Sequence, residues 1–201
     1  MATPSTVFKL GGSLLDRPGL AQLLRGLLQQ RPGAAVVVGG GGAADLVRVW
    51  AKTHQLGDEP AHWLALEAMA FNEALVRELV PELRLVRNLK QWAAVAAEGH
   101  PALVCCSCFV RWAEAANHPP LPRTWDVTSD SLAAWIATVA QARELVLLKS
   151  VPTPAGLSAL EASHAGLVDV AFPSLGNALA RVSWVNGQNS SSTIEPWLTP
   201  T

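Results

Sequence analysis

Thr6-Val7-Phe8-Lys9-Leu10-Gly11-Gly12-Ser13 is the stretch from which the rest of the chain is read. A β-compatible run ends in two glycines and a serine, so a strand over Thr6–Leu10 gives way to a turn that no side chain crowds. At a strand-to-helix turn, glycines let backbone N–H groups come within reach of an anion. Ser13 adds a hydroxyl donor there or caps the segment that follows. The pattern returns at Val36-Val37-Val38-Gly39-Gly40-Gly41-Gly42, which leads into a helix bearing Leu46, Val47 and Trp50. Four consecutive glycines are entropically costly. At a helix N-terminus they leave a wide opening for phosphate; two tight turns without a ligand are the plainer alternative.

Working outward, short apolar runs predict strands at Thr6–Leu10, Ala34–Val38, Leu83–Val86, Ala102–Ser107, Glu144–Leu148 and Arg181–Val185. Helical patterns lie between most of them, including Pro18–Gln30 and Ser131–Ala142. The clearest places Leu64, Ala68, Phe71, Leu75 and Leu79 on one amphipathic stripe. This alternation implies an α/β three-layer sandwich, with a largely parallel central sheet flanked by helices. Ligands then sit outside the carboxyl ends of the strands. Asn117–Arg123 and Asn186–Thr193 read as surface loops inside a single domain over residues 1–201, and Pro152–Pro173 carries no firm pattern.

Composition narrows the classes. Half of the 201 residues are apolar and 15% are charged, as in a compact globular enzyme. A net charge of -1 offers no basic surface for nucleic acid. No apolar run reaches the roughly 18 residues of a membrane span, and Lys9 inside the first apolar stretch does not suit a secretory signal. Cys105, Cys106 and Cys108 are too few and too close for a disulfide framework, and no second pair completes a zinc site. Within the apolar run Ala102–Val110 they read as small hydrophobes, and a cytoplasmic location follows.

Of four lysines, Lys52 and Lys90 fall on predicted helices and are expected in solvent. Lys9 and Lys149 each end an apolar strand, at the edge where ligands collect, and a compact movable ammonium suits a phosphoryl group in transit. Snorkelling to water is the alternative reading for both. Trp125-Asp126-Val127-Thr128-Ser129-Asp130-Ser131 offers two carboxylates and three hydroxyls, more than one helix cap uses. Asp130 is placed to orient the lysines or to help hold magnesium through water. Trp50 and Trp135 read as core, and for Trp125 a pocket wall is only the lesser alternative. Gly39–Ala44 fits a dinucleotide fingerprint in form only, because no strand ending in an acidic residue follows its helix at the required distance. Neither glycine loop continues into Gly-Lys-Ser/Thr, which excludes a Walker loop.

Val7–Ser13 resembles the opening of the amino-acid-kinase family, and Val36–Gly41 its second glycine loop. Asp126–Ala134 is similar to the Thr-Thr-Asp-Ser-Ala-Ala run of the uridylate kinase branch, and Leu145–Val151 to the strand before its nucleotide loop. The Trp125–Ser131 run, with Gly166–Asp169 and Phe172-Pro173, most resembles the subgroup that phosphorylates an (aminomethyl)furanylmethyl phosphate in methanofuran-type coenzyme biosynthesis. The resemblance implies an ATP- and Mg2+-dependent kinase acting on a small phosphate- or carboxylate-bearing acceptor, working as a homo-oligomer. It implies Lys9, Asp130 and Lys149 as catalytic residues, and Gly11, Gly12, Ser13, Ser129 and Ser150 around the nucleotide. It places Gly39, Gly40, Gly41, Gly42, Asp126 and Thr128 on the acceptor side. One departure stands out. Where the family has an Asp-Gly-Val/Ile-Tyr/Phe loop in its adenine pocket, this chain reads Pro152-Thr153-Pro154-Ala155-Gly156. A nucleotide-binding module of the same fold without turnover is the rival reading.

Overall fold

The computed structural model describes residues 6–189 and 193–199. Along the chain run β1 (Thr6–Leu10), α1 (Leu20–Gln30), β2 (Ala35–Val38), α2 (Gly41–Thr53), α3 (Asp58–Leu79), β3 (Arg84–Val86), α4 (Leu89–Ala97) and β4 (Ala102–Val104). There follow α5 (Cys106–Ala115), α6 (Ser129–Val139), β5 (Glu144–Lys149), α7 (Ala159–His164), α8 (Phe172–Gly176), β6 (Val182–Asn186) and β7 (Glu195–Leu198). The strands form one sheet in the order β3-β4-β2-β1-β5-β6-β7, parallel except for β7, which is antiparallel to β6. This is the α/β sandwich expected.

The period of two along each strand divides the core. Val7, Ala35, Val37, Leu145 and Leu147 face α3, α5 and α6, while Phe8, Leu10, Val36, Val38, Val146 and Leu148 face α1. Both faces are covered, so the central strands are apolar at nearly every position. From β1 the chain winds outward on one side through β2, then returns to place β5 on the other side. Strand order therefore reverses between β1 and β5, the crevice where ligands gather in such sheets.

Four expectations need correction. The strand expected over Ala102–Ser107 ends at Val104, and Cys106 opens α5. The apolar run is continuous across that junction, so period alone could not divide it. The Leu64–Leu79 stripe lies on a genuine helix, but Leu64, Phe71 and Leu75 are exposed; α3 buries Leu66, Met69, Asn72, Glu73 and Val76 instead. Trp50 stands half in solvent, because α2 turns Val47 and Ala51 inward. The region Pro152–Pro173 contains α7, started by a capping box between Ser158 and Glu161. Lys52 and Lys90 are exposed and Trp135 is buried, as expected.

Candidate active site

Lys9 and Lys149 lie on the α6-facing side of neighbouring strands, because each shares its parity with the residues that pack there. Between them α6 projects Asp130 from its first turn. Asp130 Oδ1 is 2.8 Å from Lys9 Nζ, and Lys149 Nζ donates to Oδ2 at 2.6 Å. Lys9 meets Oδ1 as an ion pair, and that buried oxygen has no other partner. Both Lys9 and Asp130 are buried, 4% exposed each. Burial alone would raise the Asp130 carboxyl; the two ammonium groups outweigh it and hold the carboxyl below its usual range. Lys149 is brought down to about 8, first by burial and then by the nearby charge of Lys9. Two cations share one anion, which leaves a surplus positive charge facing the crevice.

The two glycine loops meet beside this triad. A Cβ on Gly12 would fall 2.2 Å from Gly41 N and 2.4 Å from Gly41 Cα, so no side chain fits between the loops. Gly41 also sits at φ +47, a left-handed conformation that glycine adopts freely. Gly39 N donates to Leu10 O at 2.8 Å, tying the second loop to the end of β1. From α3, the Asn72 carboxamide donates to both Gly39 O and Gly40 O at 2.8 Å. These bonds account for a polar side chain buried on α3. They also turn the carbonyls of Gly39 and Gly40 toward Asn72, and the first amides of α2 have no acceptor within the helix.

Asp169 holds the third wall. Its carboxylate accepts from Thr128 N, Thr128 Oγ1, Ser131 N, Ser131 Oγ and Phe172 N. The Thr128 side chain makes no capping bond of its own, so a residue distant in sequence caps α6 and fixes Asp130 in its first turn. Ser13 Oγ and Ser150 Oγ are 3.0 Å apart, joining the ends of β1 and β5.

These parts enclose a cavity of about 280 Å³. Lys9, Gly12, Ser13, Gly40, Gly41, Ser129, Asp130 and Lys149 form its polar end. The far end is made by Arg48, His62, Trp125, Leu66, Met69 and Leu121. The Arg48 guanidinium lies 5.0 Å from the centre of the Trp125 ring. His62 Nε2 is buried without a partner, and burial followed by Arg123 lowers its pKa, so the imidazole is neutral at pH 7. Sequence reasoning passed over Arg48, His62 and Asn72, and gave Asp169 a place in the resemblance but no role. Arg48 follows the second glycine loop by two helical turns, a spacing that could have drawn attention to it.

No family model matches the sequence. No curated protein matches it in sequence either. Solved structures do match it in fold. The uridylate kinase from Archaeoglobus fulgidus superposes with a TM-score of 0.63 at 15% identity, over 98% of this chain and 92% of that one. The UMP kinase from Ureaplasma parvum gives 0.64 at 12% identity, over 94% and 92%. The aspartate kinase from Synechocystis gives 0.63 at 14%, over 98% of this chain but 41% of that one. The chain has the amino-acid-kinase fold.

Within that fold the expected site residues divide. Lys9, Gly12, Ser13, Gly40, Gly41, Thr128, Ser129, Asp130 and Lys149 come together on the cavity. Gly39 lies directly behind them, its Cβ direction meeting Gly12 N at 2.8 Å. Gly11 donates to Leu148 O and supports the turn from below. Ser150 reaches Ser13 without lining the cavity. Gly42 lines a separate apolar groove between α2 and α3, and Asp126 is exposed, with its carbonyl accepting from Ala171 N. No helix among the described residues is long and apolar enough to cross a membrane.

Proposed function

We propose that this chain is an ATP-dependent phosphotransferase that moves the γ-phosphoryl to a small acceptor bearing a phosphate or carboxylate. The observation that carries this reading is the direct contact of Gly12 with Gly41 beside two lysines that share Asp130. Phosphoryl transfer asks for in-line positioning and for charge neutralisation on the γ-phosphate oxygens, with little covalent chemistry from the protein. Gly12 and Ser13 would cradle the donor phosphates, and the α2 N-terminus with Gly40 and Gly41 would face the acceptor. Lys9 and Lys149 would carry the charge between them, held apart and aimed by Asp130. No general base is needed if the acceptor is already an anion. His62 then hydrogen-bonds the acceptor as a neutral imidazole, and Arg48, paired in this structure with Asp45 at 2.6 Å, would exchange that partner for the acceptor's charge.

The donor set suits the phosphates of ATP: a cradle that a Cβ would fill, two ammonium groups and helix-terminal amides. For magnesium the fit is different. No group of three His, Cys, Asp or Glu among the described residues could hold an ion, and Asp130 is committed to the lysines. Mg2+ would be held by the nucleotide's phosphates and by water, the usual way this ion is carried.

For the acceptor we take the furanylmethyl phosphate class implied by Trp125–Ser131, whose flat ring Trp125 could face. We place the activity in the cytoplasm. We further propose a homo-oligomer formed by two copies of this chain. Leu46, Trp50, Leu64, Phe71 and Leu75 stand exposed around an apolar groove between α2 and α3, with Phe71 72% exposed at its side. A projecting ring and an apolar groove on one face suit a two-fold contact in which each copy fills the other. Phe71→Glu should then convert a dimer to a monomer in light scattering; a wild-type monomer overturns the oligomer.

Labelled ATP offered with Mg2+ and a panel of phosphate and carboxylate acceptors tests the reaction. Transfer to an acceptor is expected, and Lys9→Ala should slow it by roughly a hundredfold, the effect of losing a key transition-state donor. Tight ATP binding with no transfer to any acceptor would instead mark a binding module.

A further inference from the structure

The three cysteines do not act as one group of core hydrophobes. Cys106 is fully buried, its backbone N–H donating to Glu73 Oε1 at 3.0 Å. Cys105 and Cys108 are both partly exposed. Cys105 is the residue that precedes α5 and Cys108 stands one turn into it, so the Cys-x-x-Cys spacing sets both sulfurs over the same helix end. Their Sγ atoms are 2.6 Å apart, against about 2.05 Å for a disulfide bond. A small movement of one side chain closes that gap.

We propose that Cys105 and Cys108 form a reversible intrachain disulfide by exchange with a low-molecular-weight disulfide such as oxidised glutathione. One cysteine thiolate attacks a glutathione sulfur, forming a mixed disulfide and expelling glutathione thiolate. The second cysteine attacks the protein sulfur of that mixed disulfide, and the second glutathione leaves. Two S–H bonds are lost and one S–S bond is formed on the protein. The two protons end on the two departing glutathiones, so the dithiol is oxidised by two electrons and the small disulfide is reduced by two.

Accessibility follows from the surroundings. Burial, and then the Cys108 thiol, push the Cys105 thiol up to about 11, so it remains protonated at neutral pH. Cys106 takes no part, being enclosed by the core, where burial also pushes its thiol well up. The location gives the bridge a route to the crevice. Glu73 holds the first amide of α5, and its chain neighbour Asn72 holds Gly39 and Gly40. The disulfide itself is independent of the activity proposed above.

The test uses the full chain equilibrated in mixtures of reduced and oxidised glutathione, quenched in acid, alkylated and mapped by peptide mass. The expected result is one transition in which two of the three thiols disappear together, joined as Cys105–Cys108, and are fully recovered in excess reduced glutathione. Cys105→Ser and Cys108→Ser should each retain a single glutathione on the remaining outer cysteine. Three alkylatable thiols after the most oxidising mixture would overturn the proposal. So would stable glutathione adducts on the wild-type chain, or a bridge through Cys106.

Discussion

Replacing Asp130 by asparagine keeps the shape of the side chain and removes the one negative charge between Lys9 and Lys149. Removing one partner of a buried ion pair costs about 3–5 kcal/mol when the remaining charge has no way out. Here it has one. Lys149 is already down at about 8, through burial and the charge of Lys9, and Asp130 is what keeps it from falling further. Without that carboxylate the Lys149 pKa falls further, because both the charge and the hydrogen bond that raise it are gone. The sign follows from proton counts in the folded and unfolded chains. A lysine whose folded pKa is depressed binds fewer protons than its unfolded form, so it destabilises the fold at low pH and is relieved as pH rises. In the wild type that relief begins near 8. In the variant it begins at lower pH, so stability climbs across a window where the wild type is flat. Below about pH 8 the deficit of Asp130→Asn should therefore shrink as pH rises, by about 1.4 kcal/mol for each pKa unit that Lys149 falls, and then stay level. Urea unfolding at closely spaced pH values measures it. A deficit that is constant from pH 7 to 9, or that grows with pH, would refute the shared-carboxylate arrangement.

Gly12→Ala puts a methyl carbon 2.2 Å from Gly41 N, so it should cost about 1–3 kcal/mol in unfolding experiments and abolish polyphosphate binding. Gly42→Ala meets nothing within 4 Å and should raise stability by about 0.4–1 kcal/mol while leaving binding intact. Above pH 8, where the ligand's own charge changes little, tripolyphosphate affinity should fall by about tenfold per unit as Lys149 loses the proton the anion requires. Calorimetry on the wild type and on Lys149→Met, which should lack that dependence, checks the assignment. Asp169→Asn weakens the carboxylate that accepts five donors around the start of α6, and should destabilise by about 1.5–3 kcal/mol in thermal unfolding.

Much of the site is visible in the sequence because strands report their own chemistry. A lysine that ends an apolar run sits at a sheet edge, and parity decides which face it serves; Lys9 and Lys149 were legible for that reason. The glycine runs at Gly11–Gly12 and Gly39–Gly42 likewise announce close backbone approach. What sequence could not supply was pairing across distance. Asn72 and Glu73 look like solvent residues in a helical pattern, and the stripe through Leu64 and Phe71 looks like the buried face. The helix is turned the other way because Asn72 and Glu73 find buried backbone partners at Gly39, Gly40 and Cys106. The role of Asp169 is hidden for the same reason, since it caps a helix that begins beside Thr128, 41 residues earlier in the chain. The edge strand β7 was missed because it is short and carries Pro196, which marks an edge position rather than a central strand.

A crystal structure of the chain with a non-hydrolysable ATP analogue and Mg2+ tests the central claim most directly. The account predicts phosphate oxygens against the amides of Gly12 and Ser13, with the terminal phosphate within hydrogen-bond distance of Lys9 Nζ and pointing toward Gly40 and Gly41. A triphosphate bound elsewhere, or a crevice that excludes it while Lys9 stays paired to Asp130, would contradict the account.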